Sequence, residues 1–163
     1  MCIRDRLNGV RFHLNLFPST LLDTPAARLV AAFGDEKLLS NFCVEISEQQ
    51  FIGDPNYLKP GVRELRRAGA TIALDDVGFG RSSLEALILL EPDSVKLDKS
   101  VVGGVAQDRA QRRTLARLVK VIGGLEATPV AEGVEKPEDR DVLLDMGVTH
   151  GQGFLFGYPA PSL

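Results

Sequence analysis

The chain has 163 residues, 44% of them hydrophobic and 25% charged, with a formal charge of −3. This is the composition of a folded domain rather than a disordered segment, and a chain of this length buries roughly 70% of its unfolded surface, enough for one sizeable core. The mildly acidic balance argues against a general DNA, RNA or anionic-membrane binder. The longest apolar run, Ala86–Leu90, is far too short to cross a bilayer, and no apolar segment after the charged start reads as a secretory signal. Two cysteines, Cys2 and Cys43, are too few for a disulfide framework, so a reducing, cytoplasmic setting is expected. Two histidines exclude a histidine-rich zinc centre.

Strands and helices alternate along the chain. Val10–Leu16 reads as a strand, followed by a helix from Thr24-Pro25 to Phe33 with Gly34 as its C-cap. Phe42–Ser47 is a second strand and Asn56–Ala68 a helix stopped by Gly69. Thr71–Asp76 is a third strand, apolar until two aspartates close it. The turn Gly78-Phe79-Gly80 follows, and Ser82-Ser83 is expected to cap a short helix that ends at Glu91-Pro92. Ser94–Asp98 is a fourth strand, Asp108–Ile122 a longer helix, Pro129–Val134 a fifth strand and Pro137–Met146 a helix. Gly151–Gly157 reads as a sixth strand, with Phe154 and Phe156 alternating into the core.

Six strands joined by helices predict parallel βαβ units. Asn15, Glu45, Asp75-Asp76, Lys96-Asp98, Glu132 and Gln152 fall towards the C-terminal ends of the six successive strands. A polar position converging from every strand is how a (β/α)8 barrel builds its site, whereas an open sheet concentrates its site at one switch point. The expected fold class is therefore α/β, a TIM-like (β/α)8 barrel. A complete barrel has eight strands and about 250 residues, so two strands are expected to be missing.

The carboxylates carry the chemistry. Glu45, Asp75, Asp76 and Glu132 lie in or beside apolar strands, where unpaired charge is costly. Brought together, they would raise one another's pKa unless a cation held them. Oxygen donors without histidine or cysteine suit Mg²⁺ or Mn²⁺. Asn15 adds a neutral oxygen, and Lys96 a positive charge able to orient water or stabilise phosphate oxygens. Adjacent aspartates can serve two ions about 4 Å apart, an arrangement suited to in-line displacement at a phosphodiester.

These residues bring the chain to a family. Asn15-Leu16, Glu45-Ile46-Ser47-Glu48, the segment IALDDVGFGRSSL from Ile72 to Leu84, Val95-Lys96-Leu97-Asp98, VAEGVE from Val130 to Glu135, and GQGFLFGYP from Gly151 to Pro159 occur in this order. Together they resemble the EAL domain, the bacterial cyclic di-GMP phosphodiesterase domain, over about Val10 to Pro161. The resemblance implies hydrolysis of cyclic di-GMP to linear pGpG with two Mg²⁺ or Mn²⁺ ions. It implies Asn15, Glu45 and Asp75 at the first ion, with Asp75 bridging to a second that Asp76 also binds. Glu132 is implied as a further ligand or a general base, Lys96 as the residue orienting the attacking water, and Gln152 as a neighbour of solvent or phosphate. Glu48 is implied to anchor the loop from Val77 to Ser83, and that loop with its following helix to form a homodimer contact. Asp98 and Glu135 are expected to support the site from outside it.

Three departures stand out. The family's Glu-Ala-Leu strand is absent; Glu85-Ala86-Leu87 lies in a helix instead. The loop carries Val77, Phe79 and Arg81 where the usual form has Phe, Thr or Ala, and Tyr. Met1–Arg6 matches nothing in the family pattern. The expectation is one partial domain over residues 1–163, holding barrel strands three to eight, truncated at the start and in its last helix, and inactive and association-prone by itself. The competing reading is a catalytically inactive module of the same fold that binds cyclic di-GMP or a protein. Cys43 is expected in the core, His13 and His150 at the surface or rim, and Arg109, Arg112, Arg113, Arg117 and Lys120 on a solvated helix face.

Overall fold

A computed structural model describes residues 11–32, 39–48 and 54–158. Its elements are β1 (Phe12–Asn15), α1 (Pro18–Asp23), α2 (Ala26–Ala32), β2 (Phe42–Ser47), a 3-10 turn (Pro55–Leu58) running into α3 (Lys59–Arg67), β3 (Thr71–Val77), α4 (Arg81–Leu90), β4 (Ser94–Leu97), α5 (Lys99–Val102), α6 (Arg109–Gly124), β5 (Thr128–Ala131), α7 (Pro137–Asp145) and β6 (His150–Gly151). The six strands form one sheet in the order β1-β2-β3-β4-β5-β6, every neighbouring pair parallel. A strand order that never reverses has no switch point, so this is barrel wall rather than an open doubly wound sheet. The structure is a half-barrel: six of the eight strands of a TIM-like fold.

Alternation along the strands separates two faces. Val44, Ile46, Ile72, Leu74, Val95, Leu97 and Ala131 point one way and join Val62, Leu65, Leu87, Leu115, Ile122 and Leu143 from the helices in a single apolar core. Each fully buried aliphatic side chain there contributes about 1.5–3 kcal/mol relative to exposure. Glu45, Ser47, Asp75 and Lys96 occupy the other register, facing the barrel interior. In α6, Leu115, Val119 and Ile122 recur at helical spacing and are buried, while Arg109, Arg112, Arg113, Arg117 and Lys120 are exposed. Asp108 caps that helix by accepting from the N–H groups of Ala110 and Gln111 at 2.7 and 3.1 Å. Asp139 is buried in the first turn of α7 and accepts from the N–H groups of Gly104 and Ala106 at 3.0 and 2.9 Å, tying the loop after α5 to α7.

Several expectations need correction. The sixth strand is only two residues long, and the chain then turns through 153–156. Phe154 and Phe156 are consequently exposed, not core residues; Phe154 stacks on Tyr158 with ring centroids 4.7 Å apart. Thr24 is the C-cap of an additional helix, α1, that begins at Pro18, and α2 starts only at Ala26. The expected helix end at Phe33 and Gly34 lies outside the described residues. Gly80, not Ser82 or Ser83, is the N-cap of α4, without a side-chain hydrogen bond. β5 ends at Ala131, so Glu132 follows the strand instead of interrupting it. Cys43 is buried among the core hydrophobic residues, as expected.

Candidate active site

Strand β3 is distorted where the chemistry is concentrated. Leu74 pairs with Val95 and Val77 with Leu97, so three steps on β3 oppose two on β4. The extra residue forms a bulge, and Asp76 takes a positive φ of 58°. Successive residues of a regular strand point to opposite faces. The bulge abolishes that alternation, and the carboxylates of both Asp75 and Asp76 line one pocket with Asn15, Leu16, Phe17, Glu45 and Ser47. The left-handed backbone costs about 1–3 kcal/mol for a non-glycine residue. It is held by the Asp76 N–H donating to Asp75 Oδ1 at 3.1 Å and by Ser47 Oγ donating to Asp76 Oδ2 at 2.9 Å.

Lys96 projects from β4 into the middle of the carboxylates. Its Nζ lies 3.0 Å from Glu45 Oε2, 2.9 Å from Asp75 Oδ1 and 2.9 Å from Glu132 Oε1. Four consecutive strands, β2 to β5, thus deliver one charged group each to a single point, in or just beyond the strand. Burial pulls the ammonium pKa down, but hydrogen bonds to Glu132, Asp75 and Glu45 outweigh it, and the net shift is upward from the ordinary lysine value. Burial pushes the Glu132 carboxyl up; Lys96 opposes this, while the charges of Asp75 and Asp76 add to it. Gln152 Nε2 donates to Glu132 Oε1, and His13 Nδ1 lies 2.6 Å from Glu45 Oε1. The sequence reading missed this role of His13, although its spacing of two from Asn15 puts both on one face of β1.

The turn that carries Glu132 is held on both sides. Gly133 has a φ of +62°, and a Cβ there would come within 2.8 Å of the Lys99 stem. At Gly153 a Cβ would lie 2.3 Å from the Val134 backbone. Both positions need glycine because neighbouring chain occupies the space. Glu135 pairs with Lys99 at 2.6 Å at the surface, and Asp98 caps α5 through the Ser100 N–H at 2.9 Å. Glu48 is buried just after β2.

The donor chemistry fits a hard divalent cation. Oxygen atoms of Asp75, Asp76 and Glu132 lie within 4.8 Å of one another. Glu45 adjoins this group through Lys96, and Asn15 through the shared pocket wall.

The sequence pattern of the EAL domain matches residues 2–159, beginning inside the opening segment Met1–Arg6. The chain belongs to the EAL domain family. The cyclic di-GMP phosphodiesterase RocR of Pseudomonas aeruginosa is 30% identical over 155 residues, 94% of this chain and 40% of RocR. Among solved structures, the EAL domain of Mycobacterium smegmatis DcpA superposes with a TM-score of 0.81 at 29% identity, covering 96% of this chain and 73% of that one. The manganese and cyclic di-GMP complex of Klebsiella pneumoniae BlrP1 gives 0.77 at 30% identity, covering 93% and 40%. This EAL chain spans between 16% and 40% of the length of eight curated relatives that it matches. No helix among the described residues is long and apolar enough to cross a membrane.

Proposed function

We propose that this segment is the catalytic wall of a barrel that hydrolyses cyclic di-GMP to linear pGpG in bacterial second-messenger signalling. The observation that carries the reading is the convergence of Glu45, Asp75 and Glu132 on Lys96, with Asp76 turned into the same group by the bulge. RocR, named as a cyclic di-GMP phosphodiesterase, and BlrP1, solved with manganese and cyclic di-GMP, support the substrate and the metal class. Asp75, Asp76 and Glu132 would hold Mg²⁺ or Mn²⁺, two ions in all, with Glu45 and Asn15 completing the ligand set. A divalent cation there supplies Lewis-acid charge for the phosphodiester and its attacking water.

The chain's own residues do the rest. Lys96 orients the attacking water and offsets the charge that grows on the phosphoryl oxygens. Water adds to phosphorus, one P–O3′ bond breaks, and the departing 3′ oxygen takes up a proton. Glu132, beside Lys96, is placed to accept the proton lost by water, and Gln152 fixes its orientation. Glu48 anchors the loop after Asp76. We assign the activity to the cytoplasm, and a homodimer contact to the loop and α4, where Phe79, Leu84 and Ile88 are exposed.

The test joins this chain to two N-terminal β/α units that close the barrel and follows pGpG formation with Mn²⁺. Asp75→Asn keeps the shape and removes one charge; turnover is expected to fall at least about a hundred-fold. Equal turnover in the two proteins refutes the assignment.

A further inference from the structure

His13 stands outside the ligand set, yet it touches it. Its Nδ1 lies 2.6 Å from Glu45 Oε1, while the other oxygen of that carboxylate, Oε2, is 3.0 Å from Lys96 Nζ. Glu45 is therefore gripped from both sides, by β1 and by β4. The grip is asymmetric. Lys96 divides its ammonium among three carboxylates, whereas among the described residues His13 directs this nitrogen at Glu45 alone. The Glu45 side chain is only 6% exposed, so its orientation depends on protein partners rather than water. The imidazole is 54% exposed and contributes little to the core.

We propose that His13 is a positioning residue for Glu45, and through it a determinant of divalent-cation affinity; this rests on the cation reading above. An N–H donor on the far oxygen of a ligating carboxylate fixes the rotamer that presents the near oxygen. Such outer partners change metal affinity about ten- to a hundred-fold when removed. His13 can fill the role because it lies two residues before Asn15 on the same face of β1, so one short strand delivers a ligand and the support of its neighbour's ligand.

The experiment titrates Mn²⁺ into the closed barrel of the preceding test and reads bound ion by the loss of the free-Mn²⁺ electron paramagnetic resonance signal. Circular dichroism establishes that each variant is folded. His13→Ala is expected to weaken Mn²⁺ binding about ten-fold or more. His13→Gln, which keeps an N–H donor, is expected to recover most of that loss. Combining His13→Ala with Glu45→Gln is expected to bind no more weakly than Glu45→Gln alone, because both act through one carboxylate. His13→Ala affinity within about two-fold of the parent, no rescue by glutamine, or additive losses would each overturn the proposal. Asp75→Asn separates the two levels. If it abolishes binding while His13→Ala does not, only the role of His13 falls. If Asp75→Asn leaves binding unchanged, the cation reading falls with it.

Discussion

Replacing Lys96 by methionine isolates what the buried ammonium does for the fold. Three carboxylate oxygens lie 2.9–3.0 Å from Nζ. At an effective dielectric near 20, each contact has a gross Coulomb energy of about 5–6 kcal/mol. Desolvation of Lys96, whose side chain is 10% exposed, and repulsion among the carboxylates offset most of this. Removing one partner from such a group nevertheless leaves uncompensated buried charge, which costs about 3–5 kcal/mol. Lys96→Met should therefore lower urea-unfolding stability by that amount at pH 7 in EDTA. The pKa of Lys96 is raised, so its contribution is fully present below the ordinary lysine value and is lost only as pH rises beyond it. Glu132 is also raised, so its ionisation opposes folding; the penalty in Lys96→Met should shrink as pH falls towards the ordinary glutamate range. Mn²⁺ at a hundred times its dissociation constant should return about 2.7 kcal/mol to the variant. A loss below about 1 kcal/mol, within the range of an exposed ion pair, would refute this account of the carboxylate cluster.

Two more outcomes are expected. Mn²⁺ affinity should begin to fall, on acidification, above the ordinary glutamate pKa, because protons compete for the raised Glu132 carboxylate; isothermal titration across pH 4–8 checks this. Asp139→Ala removes a buried acceptor from the N–H groups of Gly104 and Ala106 and should cost about 3 kcal/mol in denaturant unfolding, with Mn²⁺ affinity unchanged.

The parts legible in the sequence are those where local pattern and tertiary position agree. Phe42–Ser47 is a strand by composition and a strand in the sheet, and Asp108 announces α6 by its own side chain. The failures have physical causes. Gly151–Gly157 alternates like a strand, but beyond Gly151 the chain passes so close to Val134 that Gly153 must turn, and Phe154 and Phe156 lose their core. Pro18 opens α1 at a first-turn position, a signal masked by the stronger-looking Thr24-Pro25. In the site, the residues of β2 to β5 were readable because each sits near a strand end. Their meeting on one lysine was not, since it depends on sheet register. Nor was the bulge that turns Asp75 and Asp76 to one side, or the contact of His13 with Glu45, which joins positions 32 residues apart.

The central claim is that this acidic group is a divalent-cation centre for phosphodiester hydrolysis. The most direct measurement is chromatographic analysis of cyclic di-GMP incubated with the closed barrel, once with Mn²⁺ and once with excess EDTA. Linear pGpG is expected with Mn²⁺ and none with EDTA, with activity restored when Mn²⁺ is added back. Undiminished pGpG formation in EDTA, or binding of the dinucleotide with Mn²⁺ present and no cleavage, would contradict the account.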